Sequence, residues 1–370
     1  MIYLDYASNY PVRKEVLECF SKVESSFIGN CNSIHGLGRE SLRFFHDIDD
    51  DMYRLLGISK EEYEIIYTSS ATESNNMVIK GIHESYGGYS NSLVSSPFEH
   101  SSVNAALAYL KDKGADISLL ASGSDGKVDL GDLREKLSKR PILTCITAVE
   151  SETGTVQDVH AIQKMISENK AGYLLSDATQ AVGKLPFDFN GLDFVSFGPH
   201  KFGGILGTGV LVKRRDIVLT PLLHGGKSLS LYRSSSPALG LIASTHKALE
   251  LALKEQKRNF DYVKSLCDWF VSELRKNPHI QINSFLENPF VINISYQGEK
   301  AMKVVDYLDR NGICVSQKSA CSITNTPSKV INSIYHDKKR ASSSFRVSIS
   351  NLTTKEELMT FLNILGEYQQ

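Results

Sequence analysis

Two charged residues stand where surface charges are not expected. Lys201 lies in the turn Gly198-Pro199-His200-Lys201-Phe202-Gly203-Gly204, just after an apolar run from Leu192 to Phe197. Asp177 closes a second apolar run, Tyr173 to Ser176, and opens Asp177-Ala178-Thr179-Gln180. An amine can form a Schiff base with an aldehyde, and a carboxylate can keep a pyridine nitrogen protonated. Those are the two charges that a pyridoxal 5'-phosphate (PLP) site requires. A free lysine has a pKa of about 10.4 and is a poor nucleophile until desolvated or imine-bonded. Taken singly, Asp177 reads as an ion-paired aspartate and Lys201 as a helix-capping lysine. The pairing of the two settings points to the cofactor.

Four further constellations could carry chemistry. In Ser70-Ala71-Thr72-Glu73-Ser74-Asn75 small residues open a helix after a strand. Free backbone N–H groups and the Thr72 hydroxyl could hold a phosphate there; the plainer reading is an N-cap, with Thr72 capping Asn75. His100, in Pro97-Phe98-Glu99-His100, sits between a strand and a helix. Its imidazole could stack on a flat ring and move protons, or be structural. Cys321, in Ser319-Ala320-Cys321-Ser322-Ile323-Thr324, adjoins a polar loop of small residues. With an ordinary pKa of about 8.5 the thiol needs a nearby base or cation to act as a nucleophile. Arg346, in Phe345-Arg346-Val347-Ser348-Ile349, shares a face with Ser348 by alternation, away from the core. An arginine so placed can grip a carboxylate bidentately or be a surface residue.

These residues need elements to place them. Strand candidates are Glu64 to Tyr67, Ser92 to Ser95, Ile117 to Leu120, Ile142 to Ile146, Tyr173 to Leu175, Phe194 to Phe197 and Thr208 to Val212. Helical patterns lie between most of them, including Glu73 to Ser85, Ser102 to Lys113 and Val159 to Asn169. The alternation predicts a mostly parallel α/β sheet covered on both faces, with ligands at the carboxyl ends of strands. Thr68, His100, Asp177 and His200 all follow predicted strands. From about Pro237 the pattern changes to one or two long helices over Ala238 to Phe270. Short strands follow at Val291 to Ile294, Ile313 to Val315 and Phe345 to Ile349, then a final helix near Lys355, as in a smaller α+β lobe. The stretch Ser322 to Ser328 is the best candidate for a mobile loop.

Composition narrows the class. The 370 residues suffice for two core-bearing lobes, and 41% hydrophobic with 22% charged content is ordinary for a globular protein. A net charge of −1 argues against a nucleic-acid-binding surface. The clusters Lys213-Arg214-Arg215 and Lys338-Lys339-Arg340 read as solvated loops. Six cysteines without a CxxC pair argue against a disulfide framework or a zinc ribbon, and no metal is expected. Except for Cys31, in a polar loop, the cysteines other than Cys321 read as small core residues. Met1-Ile2-Tyr3-Leu4-Asp5 has neither a basic region nor a long apolar one, and no run of about 18 apolar residues suggests a membrane span. The expectation is a reducing cytoplasm.

Nearly end to end, the chain resembles the cysteine desulfurases of the NifS/IscS type, within the class V aminotransferase group of PLP enzymes. The resemblance rests on Leu4 to Val12, Gly29 to His35, Thr68 to Asn76, Glu99-His100, Gly154 to Asp158, Asp177 to Lys184, His200-Lys201, Arg233-Ser234 and Ser319 to Cys321, in family order. It implies the PLP-dependent aminotransferase-like α/β fold (fold type I). Residues 14–250 would form a large domain with a mostly parallel mixed sheet; 1–13 and 251–370 would form a smaller α+β domain. The implied reaction converts L-cysteine to L-alanine, with a persulfide left on Cys321 for a sulfur-acceptor protein, a scaffold or thiolation enzyme. Lys201 would bind PLP and move protons, Asp177 pair with the pyridinium and Gln180 with the ring hydroxyl. His100 would stack on the ring. Ala71, Thr72 and His200 would hold the phosphate, with Ser236 reaching in from the other subunit of a homodimer. Arg346 would bind the substrate carboxylate.

Some positions depart from the family pattern. Ser151, in Glu150-Ser151-Glu152, replaces an asparagine that contacts cofactor and substrate. Gly198 replaces a phosphate-binding serine, and a hydrogen bond to a charged group contributes roughly 1.5–3 kcal/mol. The segment Lys227 to Tyr232 replaces a glycine-rich motif, and Ser235-Ser236 a Gly-Thr pair. The alternatives are a selenocysteine lyase or other class V lyase with the same cofactor, and a catalytically weakened scaffold or regulator of the same fold.

Overall fold

The structure is a computed structural model that describes residues 1–226, 228–318 and 326–368. Its described strands are β1 (Ile2–Tyr3), β2 (Tyr63–Thr68), β3 (Ser92–Ser95), β4 (Asp116–Leu119), β5 (Leu143–Cys145), β6 (Tyr173–Asp177), β7 (Phe194–Phe197), β8 (Gly209–Arg214), β9 (Ile280–Ile282), β10 (Val291–Tyr296), β11 (Ile313–Cys314) and β12 (Ser344–Ser348). The main sheet has the order β2-β8-β7-β6-β5-β3-β4. Only β8 runs against its neighbours; the remaining pairs are parallel. β2 therefore points the same way as β3 to β7, and all six carboxyl ends meet at one edge. Every residue of β5 and β7 is buried, as expected of parallel strands covered on both faces. The predicted strands are all present, with ends shifted by at most two residues.

Helices cover both faces. Before the strand–helix alternation come α1 (Lys14–Ser26) and α2 (Gly36–Leu56), which precede any helix expected from the sequence. In α2 the buried Phe45, Ile48, Met52 and Leu56 recur every three or four residues, while Asp47 and Asp50 are exposed on the polar side. It ends at Gly57 with φ +67°, a conformation glycine adopts without strain. Next come α3 (Ala71–Tyr86), α4 (Ser101–Asp112), α5 (Leu130–Leu137) and α6 (Val159–Glu168). One unbroken helix, α7 (Leu239–Leu274), resolves the expectation of one or two over Ala238 to Phe270. The chain continues with α8 (Ala301–Arg310), α9 (Lys329–Tyr335), α10 (Lys338–Ser343) and α11 (Lys355–Glu367).

A second, antiparallel sheet has the order β12-β10-β9. The N-terminal segment joins this part of the chain. β1 pairs parallel with β11, and Asp5 bridges to Ser348 at the end of β12. Residues 5–8 are thereby led toward the carboxyl edge of the main sheet.

Three expectations change. Lys213 is not in a solvated loop: it is fully buried in β8, with Nζ donating to the carbonyls of Arg214 (2.7 Å) and Ile217 (2.6 Å). Arg340 lies over the Tyr335 ring and donates to Asn283 Oδ1 (2.6 Å). Cys31 is buried in a small apolar cluster with Val23, Phe45 and Leu239, because neighbouring helices cover its polar loop. Among the described residues no helix is long and apolar enough to cross a membrane, and no side-chain group could hold a metal ion.

Candidate active site

Sheet order brings the sequence-predicted residues together. In the β6–β7 register Asp177 pairs with Ser196, so Asp177 ends one strand beside the turn that carries Lys201. That turn is a single 3-10 turn, Pro199–Lys201, opened by proline, whose fixed φ suits a first helical position. On the other side of β6 lies β5, whose following loop carries Ser151; beyond it lies β3, whose loop carries His100.

Asp177 is buried and held by two donors, Asn75 Nδ2 (2.9 Å) and the Thr179 N–H (3.0 Å). Asn75, on α3, also accepts from Ser196 Oγ (2.6 Å) and donates to Ser102 Oγ (2.9 Å). Ser102 in turn meets His100 Nδ1 through its hydroxyl (2.9 Å) and its N–H (3.2 Å). A backbone donor on Nδ1 makes that nitrogen an acceptor, which leaves the ring proton on Nε2. Burial lowers the pKa of His100; Asp177 opposes this and the Lys201 charge adds to it. Asn75 is thus the hub that fixes both Asp177 and His100.

The amino end of α3 forms a second part. Its cap is Ser70, whose Oγ accepts from the Glu73 N–H (3.1 Å), not Thr72. Thr72 stays exposed in the first turn. Two glycines let backbone come close. A Cβ on Gly209 would meet the Ser70 carbonyl carbon at 2.2 Å, and a Cβ on Gly198 would meet His200 Cε1 at 2.9 Å with Ala71 Cβ at 3.9 Å. Ala71, Gly198 and His200 therefore share one small region. Burial, then the charges of Lys201 and Lys184, push His200 down to about 4, so its imidazole is neutral at pH 7. Ser236 is exposed, lines a cavity with Thr68, Ser69 and Gly209, and accepts from Asn30 Nδ2 (3.4 Å).

The third part is cationic. Arg346 is not surface-facing: it is only 1% exposed, because the N-terminal segment covers the face it shares with Ser348. Its Nη1 donates to the Ser151 carbonyl (2.8 Å), and Nη2 donates to Asp5 Oδ1 (2.8 Å) and Ser8 Oγ (2.7 Å). Its Nε is buried without a partner among the described residues. The Lys201 amine donates to the Ser8 carbonyl. Gln180 Nε2 donates to the Ala7 carbonyl (2.9 Å), and Lys184 Nζ donates to Gln180 Oε1 (2.9 Å). Burial, then the Lys201 and Arg346 charges, lower Lys184 to about 7.

Buried carboxyls line the approach. Glu99 Oε1 accepts from Ser96 Oγ and the Thr147 N–H, both at 2.6 Å, and Oε2 has no partner among the described residues. Burial raises its pKa to about 8. Glu150 accepts from the N–H groups of Glu152 and Thr153; Glu152 accepts from Ser328 Oγ (2.6 Å). Burial pushes both carboxyls up. Ser328, expected in a mobile loop, is the buried cap of α9. Lys318 Nζ donates to the Thr326 carbonyl (2.9 Å) and hydroxyl (2.7 Å), linking the flanks of the 319–325 segment. Cys321 itself lies outside the described residues. Residues that sequence reasoning did not single out here are Asp5, Ser8, Asn75, Glu99 and Lys184. Only Lys184 carried a local signal, a lysine between Ala181-Val182-Gly183 and Leu185.

The chain matches the aminotransferase class-V family over residues 2–361. It is 33% identical over 370 residues to a cysteine desulfurase IscS of Dictyoglomus turgidum, covering 98% of this chain and 93% of that one. It is 31% identical to a putative cysteine desulfurase IscS 1 of Bacillus subtilis, covering 97% and 96%. Among solved structures it superposes on a NifS-like protein with a TM-score of 0.91 at 28% identity, covering 99% and 98% of the two chains. A structure described as SspA in complex with cysteine matches with a TM-score of 0.81 at 25% identity, covering 96% and 100%. With this extent of match and the sheet described above, the chain belongs to the class-V aminotransferase family and has its α/β, fold type I architecture.

Proposed function

We propose that this chain is a PLP-dependent cysteine desulfurase that converts L-cysteine to L-alanine and leaves the sulfur on Cys321 as a persulfide. The observation that carries the reading is the placement of Asp177 and the Lys201 turn on adjacent strand ends, beside the buried Arg346. The names of the relatives support the same reaction.

The residues present fit PLP. Asp177 is a buried carboxylate held by two donors, suited to a pyridinium nitrogen. The amino end of α3, with Ala71, Thr72 and neutral His200, is a cradle for a phosphate. At Gly198 the imidazole of His200 occupies the space that a serine side chain would need. When bound, PLP would supply the electron sink for the carbanion formed at the substrate.

The chain's own residues would do the rest. Lys201 would hold the cofactor through its amine and move the substrate proton. His100, with its ring proton on Nε2, would assist that transfer. Gln180, oriented by Lys184, and Ser151 would hold the cofactor, and Arg346 would take the substrate carboxylate. In balance, the Cβ–S bond breaks with its electron pair on carbon and an S–S bond forms to Cys321. One thiol proton passes to the carbon, giving alanine and the persulfide. Ser236 would serve the partner copy of a homodimer, and exposed Ile28, Ile34 and Leu37 flank the Asn30 that bonds it. The product sulfur goes to an acceptor protein, as in iron–sulfur cluster assembly or thiolation. The free state of the five described cysteines supports a reducing cytoplasm. The same reading divides the chain into residues 14–250 and a smaller unit of 1–13 with 251–370.

The test is incubation of the purified, PLP-loaded protein with L-cysteine, and separately with L-selenocysteine. Alanine should form, and mass spectrometry should find one added sulfur on Cys321. No alanine from cysteine, or turnover of selenocysteine alone, would sink the reading.

A further inference from the structure

Arg346 is already engaged before any substrate arrives. A guanidinium has five N–H donors, two on each Nη and one on Nε. Both Nη2 protons are spent on the N-terminal segment, one on Asp5 Oδ1 and one on Ser8 Oγ. Ser8 Oγ also donates to Asp5 Oδ1 (2.9 Å), and Ser316 Oγ donates to Asp5 Oδ2 (2.8 Å), so the acceptors are themselves held. Nη1 is tied to the Ser151 carbonyl. The Nε–H is buried with no acceptor among the described residues, and Nη1 keeps its second proton.

This matters because a carboxylate binds an arginine two-pronged through either the Nε/Nη2 edge or the Nη1/Nη2 edge, and both need an Nη2 proton. In this chain a carboxylate can meet Arg346 only one-pronged, at Nε or at the second Nη1 proton and next to the Asp5 charge, unless Asp5 or Ser8 lets go. We propose that Asp5 and Ser8 are positioning residues that hold Arg346 to one-pronged recognition and so set how tightly the site takes an amino-acid carboxylate. The proposal rests on Arg346 being the carboxylate-binding residue of the reading above. It adds that the N-terminal segment, distant in sequence, limits substrate affinity. Asp5 does so by charge and Ser8 by occupying a donor.

The experiment is calorimetric titration of the PLP-loaded protein with L-alanine, which has the carboxylate and amine but no sulfur to lose. It compares the wild type with Ser8→Ala, Asp5→Asn, Asp5→Glu and Arg346→Ala. Ser8→Ala releases an Nη2 proton and should tighten binding roughly tenfold, the worth of one charged hydrogen bond. Asp5→Asn keeps the acceptor and removes the charge, and should move in the same direction; Asp5→Glu should restore the wild-type value. With L-cysteine the change should be carried by KM rather than by kcat, a split that loosened packing would not give. Equal or weaker alanine binding by Ser8→Ala, with an unchanged melting curve, overturns the proposal. So does wild-type affinity in Arg346→Ala, or no heat from any variant. The heat of alanine binding requires no desulfuration, so failure of the desulfurase reading shows separately, as absence of alanine formed from cysteine.

Discussion

Glu99→Gln tests whether burial really sets the protonation states around this site. The Glu99 carboxyl accepts from Ser96 Oγ and the Thr147 N–H at Oε1, while Oε2 is buried with no donor among the described residues. Two hydrogen bonds do not offset the loss of water, and the pKa rises from 4.5 to about 8. Between those values the folded chain binds a proton that the unfolded chain has released. Stability must therefore fall as pH rises through that window, by about 1.4 kcal/mol per pH unit for one proton. From pH 5 to pH 8 the cost approaches about 4 kcal/mol, an upper figure because water penetration softens buried charges. Glutamine is close in shape and cannot ionise. Its amide nitrogen brings two buried donors where the neutral carboxyl brings one, and the extra unpaired N–H costs about 1–3 kcal/mol. Glu99→Gln should thus be less stable than wild type at pH 5 and gain on it steadily toward pH 8. Urea midpoints of the cofactor-free proteins, compared at matched pH, isolate this one group because the other titrations cancel. A difference that stays flat from pH 5 to pH 8 would refute the argument.

Asn75→Ala removes a donor from Asp177 and the acceptor of Ser196; PLP retention, read by visible absorption during dialysis, should weaken by about tenfold to a hundredfold. Gly198→Ser should weaken PLP retention rather than improve it, because the new side chain must displace His200 from 2.9 Å; tighter retention in the same dialysis would contradict this. For Lys184 the folded pKa is lowered from 10.5 to about 7, so wild-type stability should rise with pH across that window, by up to about 1.4 kcal/mol per unit. Lys184→Met should lack that rise when its denaturation is compared with wild type at pH 7 and pH 9.5.

The fold was legible where burial alone decides an element's pattern. Phe194 to Phe197 and Leu174 to Ser176 are buried on both sides, so each reads as a mostly apolar run, and the end of each run places Asp177 and the Lys201 turn. Alternation around Arg346 correctly separated two faces of β12. It could not show that the polar face would be covered by residues 5–8, since that contact joins opposite ends of the chain. Asn75 shows the same limit: its partners Ser102, Asp177 and Ser196 lie on other elements, and nothing within α3 marks it as a hub. The cap of α3 was missed for a local reason. Ser70 and Thr72 both suit an N-cap, and the choice turns on where β2 releases the chain, one or two residues that periodicity does not resolve.

Burial does more here than close the site. It raises Glu99, Glu150 and Glu152 and lowers His100, His200 and Lys184, so groups that would be charged in water tend toward neutrality inside. A crowd of freely charged side chains would give a site whose field shifted with each proton. Neutralised groups act instead as fixed dipoles, which stabilise developing charge without reorganising. On the proposed reading, the interactions left among the described residues to steer an amino acid are then few: the Asn75-held carboxylate of Asp177, the Lys201 amine and the Arg346–Asp5 pair. Two of these three are anchored on residues 5–8. A change in that short segment would therefore alter the carboxylate grip and the lysine together, whereas a change in the acidic wall would alter mainly the pH range over which both work.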